Sequence, residues 1–176
     1  MRSQKLPLAL TLGVILAAAL RVALVWERLP AVMASHFGPS GAADGWMPRG
    51  AFFVLFALVL GGTCLLMALV PALIRRLPPS LVNLPHREHW LAPQRRDETL
   101  RRIGSQLAWY ALAYALFIGS ILELTLRANL RNGPLPNGPF LALLALFLLA
   151  TAALVIRLQR MFGRPGAGSD QPPPTG

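Results

Sequence analysis

At 176 residues, 55% of them hydrophobic and only 14% charged, the chain carries more apolar surface than one small soluble core can hide, and its mean hydropathy is +0.52. The formal charge of +10 would suggest nucleic acid in a soluble protein, but here the basic residues flank apolar segments and read as membrane topology signals. Cys64 is the one cysteine and sits within an apolar run, which excludes an internal disulfide and a thiol cluster for metal.

Leu6 to Trp26 is the first predicted span, long enough at 1.5 Å per residue to cross a hydrocarbon core of about 30 Å. Its start also has the form of a secretory signal, with Arg2 and Lys5 ahead of the apolar run and a cleavage-like Ala17-Ala18-Ala19. The apolar stretch continues past those alanines to a Trp at interface level, so it is read as a retained helix. Ala51 to Ile74 is the second span. Gly61-Gly62 at its middle is expected to let a neighbouring helix approach closely, and Pro71 to kink its last turn. Gly104 to Leu126 is the third and most polar span, holding Gln106, Trp109, Tyr110, Tyr114, Ser120 and Glu123, and such a helix does not face lipid all round. Phe140 to Leu158, introduced by Asn137-Gly138-Pro139, is the fourth. The tail 163–176 is rich in Gly, Pro and Ser and is expected to be disordered.

Twelve basic residues precede the first span, lie at or beyond the end of the fourth, or fall in the loop 75–103, whereas only Arg28, Arg49, Arg127 and Arg131 lie in the other two loops. The excess predicts cytoplasmic termini and an outward-facing loop 29–49. The expected fold is therefore all-α: a polytopic integral membrane protein with four transmembrane helices in a single domain, 1–162.

The loop from Leu29 to Arg49 is the most specified stretch between spans. It holds His36, Asp44 and Trp46 within eleven positions, spaced by Gly38, Gly41 and Gly45. Three readings stand for His36: a metal ligand, a proton-responsive switch with Asp44 in the pH 5 to 8 range, or a structural hydrogen-bonding residue. Asp44-Gly45 is a strong turn signal, and Trp46 suits an interfacial anchor. Leu29-Pro30, His36-Phe37, Gly41 and Asp44-Gly45-Trp46 ahead of a basic residue resemble the bacterial family called domain of unknown function 1648. That domain also forms the N-terminal part of SdpI-type proteins, which protect a cell from its own secreted toxin and signal the toxin's presence. Ala34, Gly38 and Arg49 stand where a proline, an asparagine and a lysine are expected in that family, and with only two spans predicted after the inner loop the second domain of SdpI-type proteins is not expected here. The resemblance implies a multi-pass protein of the bacterial cytoplasmic membrane. It also implies that Pro30, His36, Phe37, Gly41, Asp44, Gly45 and Trp46 contribute to an outer binding surface.

Apart from Arg157 at the very end of the fourth, two charges fall within spans. Arg21 and Glu123 lie at depths that agree to within roughly 3 Å on helices running the same way, which predicts an ion pair beneath the outer loop. The competing arrangement pairs Glu123 with Arg127 one turn on and lets Arg21 snorkel to the headgroups. In the inner loop, Pro93 suits the first position of a helix that continues into the third span, with Asp97–Arg101 and Glu98–Arg102 as i, i+4 pairs. His86, Glu88 and His89 lack the spacing of zinc peptidases, and the flanking prolines argue against one helix presenting them. No cofactor motif or nucleophile–base pair is present, so the expectation is a non-enzymatic protein without cofactor or bound metal. It would bind or sense an extracytoplasmic peptide or membrane partner. A small transporter, or a subunit of one, is the alternative, and a metal-dependent membrane enzyme the third reading.

Overall fold

The computed structural model describes residues 2–163; the expected disordered tail, apart from Gly163, lies outside them. The helix α1 (Arg2–Val25) ends in a 3-10 turn, Trp26–Arg28, and leads into strands β1 (Val32–Phe37) and β2 (Ala43–Pro48). The second spanning helix comprises α2 (Arg49–Ala57), a π turn over Leu58–Gly62, and α3 (Thr63–Arg76). After the short α4 (Arg87–Trp90) come α5 (Pro93–Arg131) and α6 (Asn137–Phe162). Four helices are long and apolar enough to cross a membrane.

Large apolar side chains point outward all round the bundle: Leu20, Leu24, Leu58 and Leu149 are each more than 60% exposed. In water such a surface would be a severe aggregation hazard, whereas in lipid it is the solvated face. The chain is a multi-pass membrane protein.

At 39 residues, α5 is about 58 Å long and outruns a hydrocarbon core at both ends. It is the hub of the bundle, with α1, α3 and α6 each packed against it. Close approach comes from its own small residues. Ala111 and Ala115 are buried against Leu60 and Cys64, and a Cβ on Gly104 would lie 2.6 Å from Gln4 Nε2 and 3.1 Å from Pro71 Cγ. The expected close approach at Gly61-Gly62 is not found, since a Cβ on either would meet nothing within 4 Å. Those glycines, weak helix formers, sit instead in the π turn. There the Val59 carbonyl accepts a hydrogen bond from the Tyr114 hydroxyl at 2.9 Å. On the far side of α5, Phe147 of α6 stacks on Phe117 at 4.5 Å between centroids.

Contacts at the two ends fix the alternation of the helices. Gln4 donates to the Arg101 carbonyl and Trp90 Nε1 to the Phe162 carbonyl, so the start of α1, the 77–92 segment and the end of α6 share one end. At this end Arg96 donates to the Ile74, Arg75 and Leu77 carbonyls at 2.9 to 3.0 Å, capping the orphan acceptors of α3. Glu98 pairs with Arg102 one turn on. Asp97 reaches Arg75 of α3 at 3.1 Å, in place of the expected Arg101.

The departure from an all-α fold is the loop 29–49, which is an antiparallel hairpin. The turn is Gly38 to Gly41, closed by Gly41 N–H to the Gly38 carbonyl (2.8 Å) and by Gly38 N–H to the Ala42 carbonyl (2.9 Å). Gly41 ends the loop at φ +81°, as three-residue hairpin loops favour. Asp44-Gly45 is therefore not a turn and lies within β2.

Candidate functional site

A two-stranded hairpin is marginal by itself, so what holds this one down is informative. Met33 of β1 is fully buried among Val25, Leu29, Phe52, Leu122 and Leu126, which ties the hairpin to α1, α2 and α5. Arg49 fastens its base: the guanidinium donates to the Trp26 carbonyl at 2.6 Å and the Leu29 carbonyl at 3.1 Å, and lies 4.2 Å from the Trp26 ring centroid. The outer edge of β1 is satisfied by a side chain. Asn129 Oδ1 accepts from Ala34 N–H (2.8 Å) while its Nδ2 donates to the Ala34 carbonyl (3.0 Å), so one buried amide mimics a neighbouring strand.

The turn is docked as well. Leu135 N–H donates to the Gly41 carbonyl at 2.8 Å, and Asn137 Nδ2 to the Pro39 carbonyl at 2.8 Å. A Cβ on Gly41 would collide with the Leu135 carbonyl oxygen. Gly45 stands opposite His36, where a Cβ would come within 2.9 Å of the His36 Cβ. The two glycines therefore have separate uses: Gly41 admits the corner before α6, and Gly45 admits the imidazole across the strand pair.

Between the hairpin, α5 and the 135–141 corner lies a cleft of about 710 Å³. His36, Asp44 and Phe37 contribute one wall; Ile121, Thr125 and Phe140 contribute the others. His36 Nδ1 and an Asp44 carboxylate oxygen are hydrogen-bonded, with side chains 75% and 52% exposed. The arrangement presents a hydrogen-bonding dyad at the rim of a mostly apolar recess that also holds Ser35, Thr125 and Asn137, a form suited to binding. Of the other loop residues singled out in the sequence, Gly41 and Gly45 shape the hairpin without lining the cleft. Pro30 lies between the 3-10 turn and β1, and Trp46 is 60% exposed outside the cleft.

Below the hairpin, Arg21 Nε donates to Glu123 Oε2 at 2.9 Å and Arg127 Nε to Glu123 Oε1 at 2.7 Å. Both pairings of Glu123 coexist on the one carboxylate, and Arg21 is held there, in place of the snorkelling position that the competing arrangement gave it. His86 and His89 are at the opposite end of the bundle. His86 Nε2 is 3.1 Å from the Gly163 carbonyl oxygen, and His89 Nδ1 is 2.9 Å from Arg95. They cannot join His36 and Asp44, and among the described residues no three His, Cys, Asp or Glu side chains are grouped to hold a metal ion.

Sequence reasoning missed Asn129 and Arg49. Asn129 lies three residues past the expected end of the third span, and Arg49 enters the sequence reading as a topology charge and as the basic residue after Asp44-Gly45-Trp46, with no fastening role. The polar Asn129 among Leu126, Ala128 and Leu130 was the one available signal for the first. For the second the motif marked a basic position but not its use, since its acceptors are main-chain carbonyls.

Residues 13–60 match the family described as Domain of unknown function (DUF1648), a stretch that takes in most of α1, the whole hairpin and α2. No curated protein and no solved structure matches the chain.

Proposed function

From a chain that carries domain of unknown function 1648, we propose a non-enzymatic protein of the bacterial cytoplasmic membrane. It binds an extracytoplasmic peptide or partner in the cleft between the hairpin and the 135–141 corner. The observation that carries this reading is the cleft itself, an apolar recess of about 710 Å³ with His36 and Asp44 on its wall. An extended peptide with an apolar side chain and a nearby polar group suits such a recess. The distribution of basic residues supports cytoplasmic termini and a hairpin on the outer side. In SdpI-like fashion, occupation of the cleft would protect the cell from a secreted toxin or report its presence.

The test is the survival of a toxin-exposed host expressing wild type, His36→Ala or Asp44→Ala at equal membrane abundance. Exposed ion pairs contribute only ~0.2–1 kcal/mol to stability, so both variants should fold. Protection by wild type that both variants lose is the expected result. Protection that survives both substitutions removes the cleft from the mechanism, and its absence in wild type removes the immunity reading.

A further inference from the structure

A second cavity lies between α1 and α5, just below the hairpin, and has a volume of about 330 Å³. Below the charges Ala17, Ala18 and Gly119 line it beside Val14 and Leu116; its upper end is Arg21 and Glu123. Glu123 is shared by two guanidinium groups, so the cluster of Arg21, Glu123 and Arg127 keeps one surplus positive charge. Donors are spare too. Arg127 uses only Nε on Glu123, its side chain is 58% exposed, and its Nη groups have no protein partner among the described residues. The cluster lies within the last turns of α1 and α5 at the hairpin end, the depth at which a spanning helix meets headgroups.

We infer that this groove binds one anionic phospholipid, its phosphate held by Arg21 and Arg127 and an acyl chain lying along Ala17, Ala18 and Gly119. Each part of the ligand meets its complement. The phosphate satisfies the spare guanidinium donors and the surplus charge, and the chain fills an apolar channel that opens sideways to the bilayer. Glu123 faces the headgroup but is neutralised by its two arginines, and it gathers both guanidinium groups on one carboxylate. A second copy of the chain is a weaker occupant. At the hairpin end its other described carboxylates are Glu27 and Asp44, the latter already bonded to His36.

The experiment is native mass spectrometry of the full chain released from phosphatidylcholine bilayers with and without phosphatidylglycerol, for wild type, Arg127→Gln and Ala17→Phe. Arg127 and Ala17 are both exposed, so neither variant disturbs the packed core. Wild type should retain one phosphatidylglycerol in preference to phosphatidylcholine. Arg127→Gln should weaken retention about fivefold, the factor one basic residue contributes at an anionic surface. Ala17→Phe, which fills the groove and leaves the charges, should weaken it as well, and millimolar inorganic phosphate should not displace the lipid. Equal retention of both lipids, indifference to both substitutions, displacement by phosphate alone, or a second chain in place of the lipid overturns the assignment.

Discussion

Gly41 and Asn129 decide where the hairpin sits. Gly41 has φ +81° and its carbonyl receives the Leu135 N–H, so an alanine there suffers both left-handed strain and a collision with the Leu135 carbonyl oxygen. The strain alone costs about 1–2 kcal/mol. Gly41→Ala should therefore lower the midpoint of thermal unfolding in detergent clearly below that of wild type. An unchanged midpoint would mean that the turn is not docked on the corner before α6. The buried Asn129 makes a donor and an acceptor bond to one half-buried peptide edge. Asn129→Ala leaves both groups of Ala34 without a partner, and each orphaned bond costs about 1–3 kcal/mol. Asn129→Asp keeps the acceptor and loses the donor, so it should fall between. Hydrogen exchange at the Ala34 amide reads this directly: it should quicken in Asn129→Ala and much less in Asn129→Asp. Neither residue's role was legible in the sequence, because both act on backbone groups about 95 positions away.

The charged cluster couples whole elements, since Glu123 on α5 holds Arg21 of α1 while taking Arg127 from its own helix. The two single substitutions should not be equivalent. Arg21→Ala leaves Glu123 with Arg127, whereas Glu123→Ala leaves two guanidinium groups side by side beneath the hairpin, so the second should cost more folded protein in the membrane. The double replacement should recover part of that loss, with a coupling of about 0.5–3 kcal/mol in detergent melts. Strict additivity would mean that the α1–α5 ion pair carries no stability. At this scale the sequence was informative about helices and poor about the hairpin. Four apolar runs announce four helices because lipid leaves the backbone few other ways to satisfy its hydrogen bonds. The strands of the hairpin are short and depend on a helix side chain for one edge, and that dependence has no local signature.

Considered whole, the protein is a bundle gathered on α5, with the His36–Asp44 cleft at one end and an arginine-rich loop at the other. Its proposed orientation is open to direct measurement. Ser40 in the hairpin turn and Ser80 in the opposite loop are both exposed, and the native Cys64 is buried. In intact cells a membrane-impermeant thiol reagent should label Ser40→Cys and spare Ser80→Cys until the cells are broken. The reverse pattern would invert the topology and put the cleft in the cytoplasm. The sequence by itself determined the membrane, the number of spanning helices and the stretch that carries the unusual residues, because composition and run length are local properties that lipid reads directly. Only the tertiary structure decided that this stretch is a hairpin, that its turn falls at Gly38 to Gly41, and that His36 and Asp44 look into a recess completed by α5 and the start of α6. Those outcomes depend on hydrogen bonds and steric fits between residues far apart in the chain, and such partners are chosen by packing.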